Sequence, residues 1–146
     1  MKTVFFLSIV VCLASSCRKF EEIKKYSLLT SHDRMSKAWK LIYKTENKTA
    51  IDLTGFDVRL ELNKDNTYTM RNSHKLFNQL ITVEKKGNWF FRQEKKTLKL
   101  CESLTHKTEE FTIVFLKKGE LQLQQVTTNE GLNKSPTTKL FFYKAN

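Results

Sequence analysis

The sequence predicts an all-β protein: a single antiparallel up-and-down barrel of about eight strands, with a β-sandwich as the alternative. Three observations carry this expectation. From Trp39 onward, apolar and polar residues alternate with a period of two. The alternating runs are short and are separated by clusters of Asn, Asp and Lys, which favour turns. Helical periodicity is almost absent from the same stretch.

The N-terminus reads differently. Lys2 precedes the apolar run Val4–Leu13, and the small residues Ala14-Ser15-Ser16 lead into Cys17. A charged start, a short apolar middle and a small-residue end are the parts of a secretory leader. The run is well short of the about 20 apolar residues that a membrane-spanning helix needs. Residues 1–16 are therefore expected to be a signal peptide. Leu13-Ala14-Ser15-Ser16-Cys17 resembles the relaxed lipobox of Bacteroidota lipoproteins, which implies that Cys17 is acylated and becomes the first residue of the exported chain. Cleavage by an ordinary signal peptidase at the same bond, leaving Cys17 free, is the alternative. Cys12 follows bulky Val11 and reads as a small hydrophobe within the leader. That leaves Cys101 with no partner for an internal disulfide, so stability must come from an ordinary core.

Residues 17–34 read as a lipid-anchored tether, with a short helix expected within Phe20–Tyr26. Glu21-Glu22 after Lys19 resembles the surface-export signal of Bacteroidota lipoproteins; a plain charged linker is the alternative. Residues 35–146 form the expected barrel domain. Trp39–Tyr43 is its first strand. Phe56, Val58, Leu60 and Leu62 alternate with Asp57, Arg59 and Glu61 to give the clearest half-buried strand. Asn63-Lys64-Asp65-Asn66 turns the chain into Thr67–Arg71. Asn72–Gln79 breaks the period and reads as a loop or one turn of helix. Leu80–Val83 runs on toward Asn88–Arg92, which puts Trp89 and Phe91 on one face. Gln93–Lys96 turns into Thr97–Cys101. Phe111, Ile113 and Phe115 share one face of the next strand, with Val114 and Leu116 opposite. Lys117–Glu120 turns into Leu121–Gln124, and Thr138–Tyr143 is last.

These marks resemble the lipocalin-like domains of small Bacteroidota lipoproteins. The resemblance lies in Trp39 of the first strand, in Leu60–Tyr68 (apolar strand, Asn-Asp turn, Thr-Tyr strand), and in Gly87-Asn88-Trp89 followed by Leu98-Lys99-Leu100. Lys37 stands where that family has Gly. The resemblance covers about residues 35–143 and implies a lipocalin-like barrel. Trp39 and Trp89 are expected in the core near its closed end.

No catalytic motif emerges. His32, His74 and His106 lie at no metal-ligand spacing and read as solvated. Glu21-Glu22 and Glu109-Glu110 are sequence neighbours, so on a strand they would face opposite sides. No nucleophile motif or phosphate loop is present, and no enzyme or cofactor is expected. The net charge is +11, or +10 without Lys2. The lysines are scattered without an aromatic-interleaved stripe, so a solvated surface is expected, with an anionic partner such as lipopolysaccharide or membrane as the alternative. Nucleic acid is not expected as a partner.

Two functions follow from the barrel. In the first, a cell-envelope lipoprotein, held to the outer membrane on its periplasmic face or at the cell surface, binds a small apolar or amphipathic ligand as a monomer. In the second, the barrel is filled by its own side chains and displays a protein-interaction surface. For the first, Tyr68, Met70, Phe91 and Ile113 are the candidate ligand contacts, with Tyr68 or Gln125 able to offer an oriented hydrogen bond near a rim. Cys101 reads as an inert small residue. Replacing Cys17 with Ala should release the protein from the membrane fraction and remove the lipid mass. A Cys17→Ala chain that still partitions with membranes, its mass changed by the side chain alone, contradicts the lipid anchor.

Overall fold

Alternation along Phe56–Leu62 does fold as a half-buried strand, and its neighbours follow the same logic. The computed structural model describes residues 30–128 and 135–146. Cys17, the leader and residues 17–29 of the expected tether lie outside the described residues. Within the described residues, nine antiparallel strands follow one short helix: α1 (Ser31–Met35), β1 (Ala38–Glu46), β2 (Thr49–Ala50), β3 (Phe56–Leu62), β4 (Thr67–Leu76), β5 (Gln79–Arg92), β6 (Thr97–Glu102), β7 (Thr108–Lys117), β8 (Glu120–Thr127) and β9 (Thr137–Ala145).

From β3 on, each strand pairs with the next in sequence, and β1 joins β3 to β9. The closing seam runs from Trp39 opposite Ala145 to Glu46 opposite Lys139. This β1–β9 pairing makes a closed eight-stranded meander and removes the sandwich alternative. It also removes the free edges that an open sheet would leave. The two-residue β2 adds only to the end of β1.

The inward face carries the core. Trp39, Leu60, Trp89 and Leu98 are fully buried, with Leu62, Leu100, Leu121 and Leu123 nearly so. Burying a side chain of this size contributes about 1.5–3 kcal/mol relative to leaving it in water. The first-strand Trp and the Gly-x-Trp Trp are thus core residues, as expected.

Strand direction sorts the connections to two ends. The β3–β4, β5–β6 and β7–β8 turns lie at one end, together with α1. That end is closed. Met35 of α1 is fully buried, and its carbonyl accepts the Trp39 indole N–H at 2.9 Å. The Trp89 indole donates to the Asn63 carbonyl at 2.9 Å, and the Trp89 backbone N–H donates to the Asn66 carbonyl at 2.8 Å. His32 stacks on Trp89 with ring centroids 4.8 Å apart and bonds Asn66 at 2.8 Å. The folded unit begins at Ser31, so the last residues of the expected tether belong to this cap. His32, read as solvated from its polar neighbours, is instead part of the seal. Sequence neighbours say nothing of an indole contributed from 57 positions away.

Two further expectations change. Asn72–Leu76 is strand, not loop or helix, and pairs with β5 down to Leu76 opposite Gln79. Phe77 and Asn78 make the two-residue turn in left-handed backbone, with φ of 46° and 65°, the geometry of a type I′ hairpin. The period fails there because inward positions 72 and 74 carry Asn and His. In β7, the register shifts between Ile113 and Phe115. Leu116 then lies opposite buried Leu121, and Phe115 opposite Gln122. The bulge inserts one residue, so Phe115 turns outward and Leu116 inward, reversing the faces that strict alternation assigns.

Gly87 explains one motif. It lies opposite Tyr68, and a Cβ at this position would sit 1.9 Å from the Cys101 carbonyl oxygen and 2.9 Å from the Tyr68 ring. The obstruction at Cys101 is backbone, so it cannot swing away. Gly87→Ala should therefore cost about 2–3 kcal/mol in overpacking, read as a lowered denaturant midpoint. Asn88→Ala, at the exposed neighbouring position, is the control and should stay near the parent.

Candidate functional site

The closed end is filled, and the open space lies above it. A cavity of about 510 Å³ occupies the other end of the barrel. Its apolar floor and walls are Leu41, Val58, Met70, Phe111, Phe141 and Tyr143. These are inward positions of five strands. Toward the mouth the lining includes polar residues: Lys44, Asn72, His74, Glu109 and Gln125. The loop between β2 and β3 adds Ile51, Asp52 and Leu53 at the rim, and β3 begins there with Phe56. That loop is held by two backbone bonds, Ile51 N–H to the Lys44 carbonyl and Phe56 N–H to the Leu53 carbonyl, each 2.9 Å. The Thr54 hydroxyl and N–H hold the Asp52 carboxyl below its ordinary range.

The polar groups are disposed around an apolar interior. Lys44 Nζ lies 5.3 Å from the centre of the Phe141 ring, a cation over an aromatic face. Lys85 and Glu109 form an ion pair at 3.2 Å. Asn72 Oδ1 is buried with no hydrogen-bond partner among the described residues. An unpaired buried acceptor costs about 1–3 kcal/mol, so a donor on a bound molecule or a water would be stabilised there. Burial pushes the Tyr143 phenol well above its ordinary value, and the Glu109 carboxylate adds to the shift. Tyr143 is therefore a neutral phenol at the base of the site. Apolar walls with a few placed polar groups suit an amphipathic molecule.

Of the candidate contacts read from the sequence, Met70 and Gln125 line this cavity. Tyr68, Phe91 and Ile113 do not. Tyr68 is only 4% exposed and belongs to the core. Phe91 meets Trp89 edge-on with centroids 5.4 Å apart, near the closed end. Ile113 packs on the core opposite Leu123. All three face inward, but they sit below the cavity, and height in a barrel follows from register and shear. Lys44, Asn72, His74 and Glu109 were missed as site residues. The available signal was the broken period at Asn72 and His74, where polar residues occupy inward positions.

Elsewhere, Cys101 is half-buried and accepts a long bond from the Thr108 hydroxyl at 3.7 Å. Among the described residues, no three His, Cys, Asp or Glu side chains come together as a metal site, and no helix is long and apolar enough to cross a membrane.

A family model described as the NlpE N-terminal domain matches residues 50–136. The chain belongs to the NlpE N-terminal domain family. The match runs from the rim loop through the β8–β9 connection, and so spans most strands of the cavity. The NlpE family is one of envelope lipoproteins. No curated protein matches the sequence. Among solved structures, this NlpE-family barrel is similar to the bovine lipocalin allergen Bos d 2, with a TM-score of 0.50 and 11% identity over 79% of this chain and 75% of that one. It is also similar to bovine odorant binding protein in complex with undecanal, with a TM-score of 0.49 and 13% identity over 81% of this chain and 74% of that one. The first likeness establishes a lipocalin-like fold and nothing finer.

Tyr68 gives this interior a pH signature. Burial, then the Glu102 and Glu109 carboxylates, raise its phenol from near 10 to about 12. The unfolded chain therefore releases this proton first as pH rises. Stability fully present below pH 10 should fall between pH 10 and about 12. Tyr143 acts in the same direction. Tyr68→Phe should flatten part of that fall, measured as urea midpoints across the alkaline range. An unchanged alkaline slope in Tyr68→Phe contradicts the assignment.

Proposed function

We propose that this chain is a lipoprotein of the cell envelope whose barrel binds a small apolar or amphipathic molecule, and that it binds without catalysing. The observation that carries this reading is the 510 Å³ cavity at the open end of the barrel. A barrel filled by its own side chains would leave no such space, so the ligand reading is favoured over a purely displayed interaction surface. The lower barrel is indeed filled, but by residues that seal one end and leave the other free.

The leader and the Bacteroidota-like lipobox at Leu13–Cys17 support an anchor at Cys17, and membership of an envelope lipoprotein family supports the address. The outer membrane is the proposed site of anchoring, and a monomer the proposed state. The binding site is formed by Leu41, Val58, Met70, Phe111, Phe141 and Tyr143, with Lys44, Asn72 and Gln125 available to a polar head. Each Å² of apolar ligand surface buried there contributes about 25 cal/mol.

The test uses the mature chain from residue 17 onward, carrying Cys17→Ser, titrated with a fluorescent fatty-acid probe whose emission rises in apolar surroundings. Saturable enhancement is expected. Met70→Trp adds bulk at the cavity wall and should weaken probe binding by about tenfold or more. A parent protein that gives no enhancement ends the ligand reading.

A further inference from the structure

The exposed apolar residues are not spread evenly over the molecule. At the closed end the turns are polar: Asn63-Lys64-Asp65-Asn66, Gln93-Glu94-Lys95-Lys96 and Lys118-Gly119. At the open end, three separate segments present large apolar side chains to solvent. The β4–β5 hairpin presents Leu76, Phe77 and Leu80, of which Phe77 is 94% exposed. The β6–β7 connection presents Leu104, 87% exposed, and β3 begins with the exposed Phe56. The same end holds the mouth of the cavity, whose rim includes Phe56.

The tip of the hairpin extends past the barrel wall. β3 reaches it only as far as His74, opposite Phe56, and β5 meets β6 only from Gly87 on. On the β6 side this leaves roughly 20 Å of the β5 edge unpaired at about 3.3 Å per residue, while the ribbon is two-stranded only from Lys75 to Leu80. Its tip places an aromatic residue at φ 46°, where Gly, Asn or Asp would be at ease. Local backbone preference does not explain Phe77, and neither does the core, which it does not touch. Exposed Lys48, Lys75 and Lys107 lie around the same rim. The acidic groups there include Asp52, whose carboxylate accepts from the Thr54 N–H, Glu46, 3.9 Å from Lys139, Glu109, paired with Lys85 at 3.2 Å, and Glu102, which accepts from the Thr105 hydroxyl.

We propose that the open end of the barrel docks on an anionic lipid bilayer, with the Leu76–Leu80 hairpin tip entering its interface, and that the cavity takes a lipid acyl chain drawn from that bilayer. The ligand half of this inference rests on the binding function above. An apolar tip beside lysines is the chemistry of an interfacial membrane contact: apolar side chains enter the acyl boundary while cations meet anionic headgroups. The apolar residues surround an opening instead of forming one flat patch. On the side of Leu53 and Phe56 they lead the acyl region to the apolar walls at Val58, Met70 and Phe141, past the polar groups Lys44, Asn72, His74, Glu109 and Gln125 that fringe the mouth. Lys44, at the mouth, is placed to meet the anionic head of a chain whose tail lies within.

The experiment uses the mature chain from residue 17 onward, without the leader and carrying Cys17→Ser, so that neither lipid nor leader contributes to binding. Flotation is measured with vesicles of phosphatidylcholine, with and without phosphatidylglycerol. The parent should float with the phosphatidylglycerol vesicles, less so at high salt. Phe77→Asp with Leu80→Asp should weaken flotation by about tenfold or more. Both positions are exposed, so the double variant should fold, and Leu104→Asp offers a second, independent test at the rim. The double variant should also bind the soluble fatty-acid probe as the parent does, which separates docking from the cavity. Native mass spectra of protein recovered from the vesicles should show a bound phospholipid. A parent that does not float, or a double variant that floats like it, overturns the docking. Flotation without bound lipid overturns the acyl-chain ligand and leaves the docking. Loss of probe binding by the parent overturns the cavity reading alone.

Discussion

The indole of Trp89 is where the two ends of this barrel become different. Its N–H and its backbone N–H tie down both sides of the β3–β4 turn, at Asn63 and Asn66. One ring face carries His32 of the N-terminal helix, and Phe91 meets it edge-on. A large aromatic with every polar group satisfied can be fully buried without penalty. Because it is, the turn, the helix and the barrel end are held as one cap. Trp39 repeats the device one step along, donating to Met35. Without these contacts the eight strands would form a tube open at both ends.

Closing one end determines what the other can be. Leu, Trp and Tyr side chains fill the barrel up to about the level of Tyr68, and Gly87 keeps that layer tight by bringing the Tyr68 ring against backbone. Above it, the inward positions change character. Met70 is followed by Asn72 and His74 along β4, and Phe111 faces Glu109 two residues back along β7. Side chains that carry polar groups cannot pack into a dry core without partners, so space remains where they converge. The cavity and its polar fringe thus have one cause.

The two β-bulges work on the outer surface. At Leu41/Tyr43 and at Ile113/Phe115 the register shifts, and the strands reverse which residues face in. Tyr43 and Phe142 come to lie outward on the adjacent strands β1 and β9, with ring centroids 5.2 Å apart, and Phe115 lies outward on β7, beyond Gln122 of β8. Inward, the same shifts bring Lys44 and Leu116 into the barrel. A cation at the mouth is therefore a consequence of a bulge, not of the alternation that precedes it.

Alternation, turn composition and two tryptophan motifs determined the fold class by themselves. Period-two patterning follows from strand geometry alone, and Phe56–Leu62, Asn63–Asn66 and Gly87–Trp89 are local in sequence. The expected leader over residues 1–16 and the expected acylation at Cys17 rest on local sequence signals too. The site was legible only in part: Met70 and Gln125 were named, while Lys44, Asn72 and Glu109 were not. Tertiary structure decided the closure of β1 on β9, the residues that cap the barrel, and the height at which each inward side chain sits. Closure and height depend on shear, a property of all eight strands together. The bulges shift a face by one residue with no mark in composition. That is why Tyr68 and Met70, two positions apart on the same face, lie on opposite sides of the boundary between core and cavity.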